Sequence, residues 1–276
     1  MRIDLTTEDD EFFDYCHYKY IPHKDYANKF RSVSLLDNSF GLMNIPFEFK
    51  KLVGLLQEKI GVKNTVWGVK KVKDALFWEF YFYNWKKKDP RIKISSILNE
   101  LGDLFGFEGK IDEPLPYFMF SIDIANEIFA SKKIKGIHIY IGKHSYFFDG
   151  KKFRLENYYS FFSPKEQTRQ IVWGIKNSAY VDFKKIKLKE ILLPQLLRCK
   201  SICVAKKLDN DSVYYSGIDL SQFLYFLKKF KYPGKITEFV ESNSGKLDHL
   251  QYDVGFDYKM EGGKLKILKS GYYGTF

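Results

Sequence analysis

Strand-like and helix-like patterns of hydrophobic residues alternate along this chain. TVWGVKKV (65–72) and ALFWEFYFYNW (75–85) are rich in β-branched and aromatic residues and are separated by only two residues, which predicts a hairpin. FEFKKLVGLLQEKI (47–60), just before them, has apolar residues at helical spacing and predicts a helix that ends at Gly61. A helix followed by a hairpin is therefore the first unit that the sequence predicts.

This unit recurs along the chain. Hairpins are predicted to begin near residues 65, 117, 145, 201 and 250, and the further helical patterns are 94–105, 163–179, 188–197, 220–230 and 236–242. About ten antiparallel strands can close into a barrel, which removes the exposed edges of an open sheet. We therefore predict an α+β fold in which repeated αββα units form one closed antiparallel barrel of about ten strands surrounded by helices. A single domain is expected over residues 1–276.

Local signals predict where several of these elements start and turn. Ser95 is suited to cap the helix of 94–105, and Ser163 with Glu166 forms a capping-box pattern before the next helix. Asp149-Gly150 predicts a two-residue type I′ turn. Pro194 is expected to bend or interrupt the helix of 188–197.

Each predicted strand has one strongly apolar face and one face of different chemistry, because successive side chains point to opposite sides. The second face carries Glu79 with Tyr81, His138 with Tyr140, and Tyr214 with Ser216 and either Lys206 or Lys207. A helical layer needs an apolar face to pack on, so the apolar faces are expected outside. The faces with tyrosine and charge would then line a lumen wide enough for a ligand.

Composition and net charge limit the binding partners and the cellular compartment that the sequence predicts. The chain has 45 Lys+Arg against 34 Asp+Glu, a formal net charge of +11, which favours an anionic partner, although lysine-rich codon usage would give the same excess. No nucleic-acid-binding motif is present, so a nucleic-acid partner is not expected from charge alone. The three cysteines form no CxxC pair, and the acidic N-terminus is unlike a signal peptide. We expect a cytoplasmic protein with no membrane partner.

Three stretches carry a resemblance to a known family. They are TVWGVKKVKDALFWEFYFYN, YFMFSIDIANEIFASKKIKGIHIYIG and SICVAKKLDNDSVYYSGIDLSQFLYFLKKFKYPGKITEF. Their helix and hairpin arrangement resembles the soluble aromatic prenyltransferases of the ABBA type, whose ten-stranded antiparallel barrel is ringed by helices. The resemblance covers about half of the chain and is one of pattern, and the hairpin of 145–162 has no clear counterpart in that family.

The resemblance implies a transferase of secondary metabolism. An isoprenyl group would pass from an allylic diphosphate in the lumen to an electron-rich aromatic small molecule. Cations and phenols would neutralise the departing diphosphate, and ring faces in a dry interior would stabilise a carbocation. The family lacks the aspartate-rich DDxxD metal motif, and so does this chain. The resemblance implies no required cofactor and no fixed metal site, and it leaves a role for Mg²⁺ open.

The resemblance also implies site residues by position. Glu79 falls where the family has an inward acidic residue, and it would act as the catalytic base or lie near a magnesium ion. The implied diphosphate-binding residues are Lys133, Lys135, Tyr140, Lys207, Tyr214, Ser216, Tyr252, Lys266 and Tyr272.

Other readings of the sequence remain open at this point. A basic, β-rich module could stack single-stranded nucleic acid on tyrosine and phenylalanine, or a barrel could carry a small hydrophobic ligand without catalysis. Asp248, His249 and Asp253 include acid and base groups, but no serine in a nucleophile-elbow context accompanies them. Tyrosine faces that point inward beside lysines would favour diphosphate chemistry, whereas exposed tyrosine faces would favour nucleic acid. The acceptor, the isoprenoid length and the oligomeric state do not follow from the sequence.

Overall fold

The structure of this chain is a computed structural model. It describes residues 4–43, 45, 47–61, 64–85, 89–102, 104–109, 111, 115–125, 128 and 131–276.

Ten strands form a closed barrel, as predicted. Each strand pairs antiparallel with its neighbour in sequence, and the last strand pairs with the first. In chain order the strands are β1 (Thr65–Val72), β2 (Ala75–Tyr83), β3 (Met119–Ile124), β4 (Ile137–Ile141), β5 (His144–Phe148), β6 (Phe153–Phe162), β7 (Ser201–Lys207), β8 (Asp211–Ile218), β9 (Tyr252–Glu261) and β10 (Lys264–Thr275). The hairpin of 145–162, which has no counterpart in the ABBA pattern, contributes β5 and β6.

Two helices precede β1 in sequence, the other described helices lie between later strands, and the helices pack on the outside of the barrel. They are α1 (Val33–Leu42), α2 (Phe47–Ile60), α3 (Ile94–Leu101), α4 (Thr168–Lys176), α5 (Leu220–Lys229), α6 (Gly234–Ser242) and the short α7 (Ser244–Leu247). α1 packs on β1, α4 on β6 and β7, and α5 on β9. A small hairpin near the N-terminus, Phe12–Phe13 paired with Lys19–Tyr20, lies outside the barrel sheet.

Several predicted helix ends differ from the structure. The residue before α3 is Lys93, and Ser95 lies inside the helix. α4 begins at Thr168, because the carboxamide of Gln167 accepts a hydrogen bond from the backbone N–H of Ser163 and holds the intervening residues in a turn. The segment of 188–197 forms two 3₁₀ turns, Leu188–Glu190 and Pro194–Leu196, because proline lacks the N–H that a continuous helix needs.

The β5–β6 connection also differs from the predicted two-residue turn. It is a four-residue loop in which the Asp149 carboxylate accepts hydrogen bonds from the backbone N–H groups of Lys151 and Lys152. Gly150 has φ of +96°, a conformation that glycine adopts without strain. The aspartate therefore organises the loop as an acceptor for two amides.

The main hydrophobic core lies between the outer face of the barrel and the helices. Trp67, Trp78, Phe80 and Phe120 on the outer face of β1 to β3 are fully buried. The indole N–H of Trp78 donates to the hydroxyl of Ser39 on α1 at 2.8 Å. This outward side chain therefore also links α1 to the sheet. The apolar strand faces thus pack outward, as the alternation predicted.

The outer face around β5 and β6 is an exception to this covering. Phe153, Leu155 and Tyr158 point outward and are between 40% and 48% exposed.

Among the described helices, none has the length and apolar character needed to cross a bilayer.

Candidate functional site

The barrel encloses a cavity of about 630 Å³ near one end of its lumen. Its walls are the inward side chains of the strands at that end, together with residues of the N-terminal hairpin. The lining includes Val66, Met119, Cys203 and a series of tyrosines. A cavity of this volume can hold a drug-sized organic molecule.

Five tyrosines from five strands form a continuous arc around the cavity, which we call the tyrosine layer: Tyr159, Tyr140, Tyr81, Tyr273 and Tyr214. Ring centroids of successive members are 6.1 to 6.3 Å apart. Burial raises the pKa of every one of these phenols, so they remain neutral. The layer presents ring surface to the cavity and carries no charge of its own.

Inward glycines provide the room for two of these rings. A Cβ on Gly255 would lie 2.2 Å from the Tyr214 ring, and one on Gly68 would lie 2.8 Å from the Tyr273 ring. Both contacts are closer than atoms allow, so any side chain at either glycine would displace a ring. The alternation of tyrosine and glycine on neighbouring strands lets the rings lie along the wall and leaves the cavity open.

A second set of side chains also points into the lumen, and we call it the charged layer. Along each strand, its members lie one or two lumen-facing positions away from the residues that form the tyrosine layer and the cavity walls. Glu79 lies two residues from Tyr81, and His138 lies two residues from Tyr140. Inward positions on a strand are about 7 Å apart, so the charges lie directly beneath the rings. The members are Lys70, Glu79, Asp123, His138, Glu156, Lys207, Asp257 and Lys269.

One half of the charged layer is built around Lys70. Its ammonium contacts the carboxylate of Glu79 and lies 3.4 Å from that of Asp123. Burial opposes its charge, but the two carboxylates outweigh burial and raise the pKa of Lys70. The Glu79 carboxylate also accepts hydrogen bonds from the hydroxyls of Tyr81 and Ser121. Burial, reinforced by Asp123, raises the pKa of Glu79.

His138 completes this half of the layer as a cation. Its Nδ1 lies 3.0 Å from Glu156 and its Nε2 lies 3.5 Å from Asp123. Burial disfavours the charged ring, but hydrogen bonds to the two carboxylates outweigh it and raise the pKa of His138 to about 9. The ring is therefore protonated at neutral pH and forms an ion pair with each of the two carboxylates.

The other half of the charged layer is built around Asp257. Its carboxylate contacts the ammonium groups of Lys207 at 2.9 Å and Lys269 at 3.4 Å, and it accepts a hydrogen bond from Ser212 at 2.5 Å. Although burial opposes ionisation, these cations lower the pKa of Asp257 to about 2. The ammonium of Lys207 also lies 3.4 Å from the Tyr214 hydroxyl and so joins the charged layer to the tyrosine layer.

The loop of the N-terminal hairpin, residues 14–18, lies against the cavity, and we call it the strap. Tyr15, Cys16 and Tyr18 line the cavity from this side. The Tyr15 ring lies 5.7 Å from the Tyr273 ring and 6.3 Å from the Tyr214 ring. One wall of the cavity therefore belongs to a segment outside the barrel sheet.

Half of the residues predicted for the site face the lumen. Tyr140 and Tyr214 line the cavity, and Glu79 and Lys207 belong to the charged layer. Ser216 is buried on the same face of β8 as Tyr214. The strand parity read from the sequence thus brings these five side chains together, while the diphosphate-binding and catalytic roles stay predictions.

The other predicted residues lie elsewhere. Lys133 and Lys135 precede β4 and are exposed, with Lys133 paired to Glu108 at 2.5 Å. Lys266 is paired to Glu261 at the exposed β9–β10 turn. Tyr252 and Tyr272 are on the outer face: the Tyr252 ring stacks on Phe223 at 4.3 Å, and the Tyr272 ring packs edge-on to Phe223 at 5.4 Å and Trp67 at 6.0 Å.

The sequence interpretation did not single out several lumen residues. They are Lys70, Asp257, Lys269 and Tyr273 as site residues, and Tyr15 in the strap. Strand parity placed His138 on the same face as Tyr140, and Asp123 on the same face as Ser121, but neither was assigned to the site. Tyr15 carries no such signal, because its position depends on how the N-terminal hairpin packs.

No protein-family model matches this chain, and no curated protein is significantly similar to it in sequence.

Proposed function

We propose that this protein is an aromatic prenyltransferase, which transfers an isoprenyl group from an allylic diphosphate to an electron-rich aromatic acceptor. The observation that carries the proposal is the stacking of two layers in one lumen. Neutral tyrosine rings surround a cavity, and cations that are partly shielded from solvent lie beneath them. An allylic diphosphate has the same division into an apolar chain and an anionic end.

The charged layer is suited to the diphosphate. Lys70, Lys207, Lys269 and His138 place four cationic groups around the lumen, each now paired with a carboxylate. A diphosphate entering this layer would compete with those carboxylates for the same donors. Phosphate oxygens accept charge-assisted hydrogen bonds from ammonium and imidazolium groups, and the Tyr214 hydroxyl can add one more.

The tyrosine layer is suited to the isoprenyl chain. When the C–O bond to diphosphate breaks, the electron pair leaves with the diphosphate and the allylic carbon becomes cationic. Ring faces on several sides stabilise such a cation, and the rings that line the cavity shield it from water that would quench it. The acceptor ring then forms the C–C bond and releases a proton, for which Glu79 is the proposed base, reached through the hydroxyl of Tyr81.

Lys70 favours a reaction that needs no metal. Glu79, Asp123 and His138 lie close enough together to hold a metal ion. The Lys70 ammonium already lies against both carboxylates. We therefore propose that Lys70 and His138 supply the positive charge that Mg²⁺ supplies in many diphosphate-binding sites.

The inward position of the tyrosines gives no support to the nucleic-acid alternative. Bases stack on aromatic side chains that a strand can reach along an open surface. The members of the tyrosine layer instead face a lumen, where a polymer chain has no path along the rings.

The test of the proposal is a product assay combined with a binding measurement. The chain is incubated with dimethylallyl or geranyl diphosphate and a set of phenols and indoles. We expect an acceptor that gains one isoprenoid unit, with release of diphosphate in equal amount. In isothermal titration, an unreactive thio-analogue of the diphosphate should bind more tightly than the matching alcohol. Equal affinity for both, or salt-dependent binding of single-stranded RNA without diphosphate binding, would overturn the proposal.

Neighbouring tyrosines on β8 provide a test of the lumen assignment. Tyr214→Phe should weaken diphosphate binding or turnover by roughly 10- to 100-fold, because it removes a hydroxyl beside Lys207, while thermal stability hardly changes. Tyr215→Phe should behave in the opposite way. Its hydroxyl donates to the Ile191 carbonyl at 2.8 Å and accepts from the Leu193 N–H at 2.9 Å, so its loss costs about 1 to 3 kcal/mol of stability. The reverse pattern of effects would contradict the assignment.

A further inference from the structure

The cavity opens to solvent at the end of the lumen away from the charged layer, and we call this opening the mouth. Trp85, Phe161 and Tyr18 line the cavity there and are between 44% and 60% exposed. Phe161 is the next lumen-facing position after Tyr159 on β6, so the mouth lies about 7 Å beyond the tyrosine layer. A ligand whose ring lies in the tyrosine layer can therefore reach the mouth with a short substituent.

One side of the mouth is a flat aromatic wall. The Trp85 and Phe118 rings are stacked, with centroids 4.8 Å apart and an angle of 16° between their planes. The Tyr83 ring lies 5.8 Å from the Trp85 ring, and all three side chains line the cavity. A wall of this shape favours a flat aromatic ligand, which can stack on the rings with an offset or meet their edges.

The charges around the cavity are few and unequal. In the described part of the chain, the charged side chains that line the cavity are Asp14, Lys143 and Lys200. One oxygen of Asp14 accepts from the N–H groups of Cys16 and Tyr18, and the other lies 2.9 Å from the Lys200 ammonium. Asp14 and Lys200 therefore balance each other, and the charge of Lys143 is left over.

Lys143 is carried on a fixed part of the rim. Gly142 and Lys143 form the short connection between β4 and β5, in which Gly142 has φ of +59°, a conformation that suits glycine. The Lys143 carbonyl accepts a hydrogen bond from the N–H of Tyr159, a member of the tyrosine layer, at 2.8 Å. The Lys143 side chain is exposed, and its ammonium has no carboxylate partner among the described residues.

We propose that the cavity takes an aromatic carboxylic acid, whose ring lies in the tyrosine layer and whose carboxylate pairs with Lys143 at the mouth. To call this ligand the prenyl acceptor rests on the function proposed above, whereas its binding does not. One carboxylate matches the one unbalanced charge at the mouth. The acceptor carboxylate and the diphosphate would then lie at opposite ends of the lumen, where the repulsion between two anions is weakest.

The same arrangement of charges disfavours other ligand classes. A cationic ligand would meet the Lys143 ammonium at the mouth, and the Asp14 carboxylate is already occupied by Lys200 and two backbone N–H groups. A neutral aromatic ligand would bind through the rings alone and would gain nothing from Lys143.

Isothermal titration with para-hydroxyphenylpropionate and its methyl ester tests the proposal. The two ligands share a phenol ring and a short spacer and differ in charge. At low salt the acid should bind about 5-fold more tightly than the ester, which is the effect expected of an ion pair near the surface. Added salt should reduce this preference, because counterions screen an exposed lysine.

Two lysine variants locate the source of the preference. Lys143→Met should weaken binding of the acid by about 5-fold and leave binding of the ester within about a factor of two. Lys151→Met is the matched control, because Lys151 is an exposed lysine in the loop at the other end of β5. It removes the same charge from the chain and should keep the full preference for the acid.

Three results would overturn the proposal. They are no preference for the acid in the unsubstituted chain, a preference that survives Lys143→Met, and an equal loss of preference in Lys151→Met.

A prenyl-transfer assay with the same two ligands separates this inference from the proposed function. If neither ligand is prenylated but the acid still binds more tightly through Lys143, prenyl transfer fails and the ligand class stands. If the ester is prenylated with the same kcat/KM as the acid, prenyl transfer stands and the ligand class fails.

Discussion

Lys207→Met is expected to lower turnover of an allylic diphosphate by about 100-fold or more. The substitution removes a buried ammonium that contacts both Asp257 and the Tyr214 hydroxyl. A donor of this kind counts most when negative charge develops on the departing diphosphate, because the lumen screens charge weakly. The measurement is kcat/KM for diphosphate release, together with titration of the thio-analogue.

The next residue along β7 is a matched control. Lys206 also pairs with an aspartate at 2.9 Å, in this case Asp211, but it points to the opposite side of the strand. Lys206→Met removes the same charge from the chain and should leave turnover within about a factor of two, since its distance from the lumen makes its effect small. Equal losses in the two variants would mean that net charge matters and that the lumen position does not.

A double variant separates binding from folding. Lys207→Met leaves Asp257 buried with only Lys269 and Ser212 near it, which should cost stability. Adding Asp257→Asn removes the uncompensated charge and should restore much of the stability without restoring turnover. Recovery of turnover in the double variant would contradict a direct role for Lys207.

Trp78→Ala is expected to lower the free energy of unfolding by about 3 to 5 kcal/mol. The side chain is fully buried on the outer face of β2, packs on Phe40 at 5.3 Å, and donates to Ser39 at 2.8 Å. Truncation would leave a cavity between α1 and the sheet and remove the indole donor, while the Ser39 hydroxyl keeps its own bond to the Leu36 carbonyl. Denaturant unfolding followed by circular dichroism measures the loss.

Trp173→Ala is the control for this prediction. The Trp173 side chain on α4 is 69% exposed, so its truncation should change stability by no more than about 0.5 kcal/mol. A loss below about 1 kcal/mol for Trp78→Ala would show that the outer core does not depend on this contact.

The barrel was predictable because its signals are local. Alternation within a strand and the short connections between strands can be read from a few neighbouring residues, and all five predicted hairpins are present. α1 has a weaker signal. Its residues include Ser34, Asp37, Asn38 and Ser39, which are poor helix formers, and it is buried around much of its circumference, so it lacks a clear polar face.

The site was predictable where the two faces of a strand differ strongly in polarity. Glu79 and Tyr140 alternate with large apolar residues, which fixes their side of the sheet. In β9, Tyr252 is an aromatic residue on the face that packs under α5, while Asp253 and Asp257 carry the inward face. Aromatic character therefore does not distinguish a residue that faces the lumen from one in the outer core. Pairings such as Lys70 with Glu79 could not be predicted either, because they depend on the three-dimensional register of neighbouring strands.

Closure of the barrel between β10 and β1 has a consequence for how the chain folds. Every other pair in the barrel joins strands that follow one another in sequence, but Thr275 pairs with Val66, at the far end of the sheet-forming sequence. This last pairing carries a large loop-closure entropy and must wait for the final strand to leave the ribosome. Until then, β1 and β9 are two unpaired edges with large aromatic side chains on their outer faces. A truncated chain without β10 would therefore be prone to edge-to-edge aggregation. For a nascent chain, the extent of aggregation would depend on how quickly β10 pairs with β1 and β9.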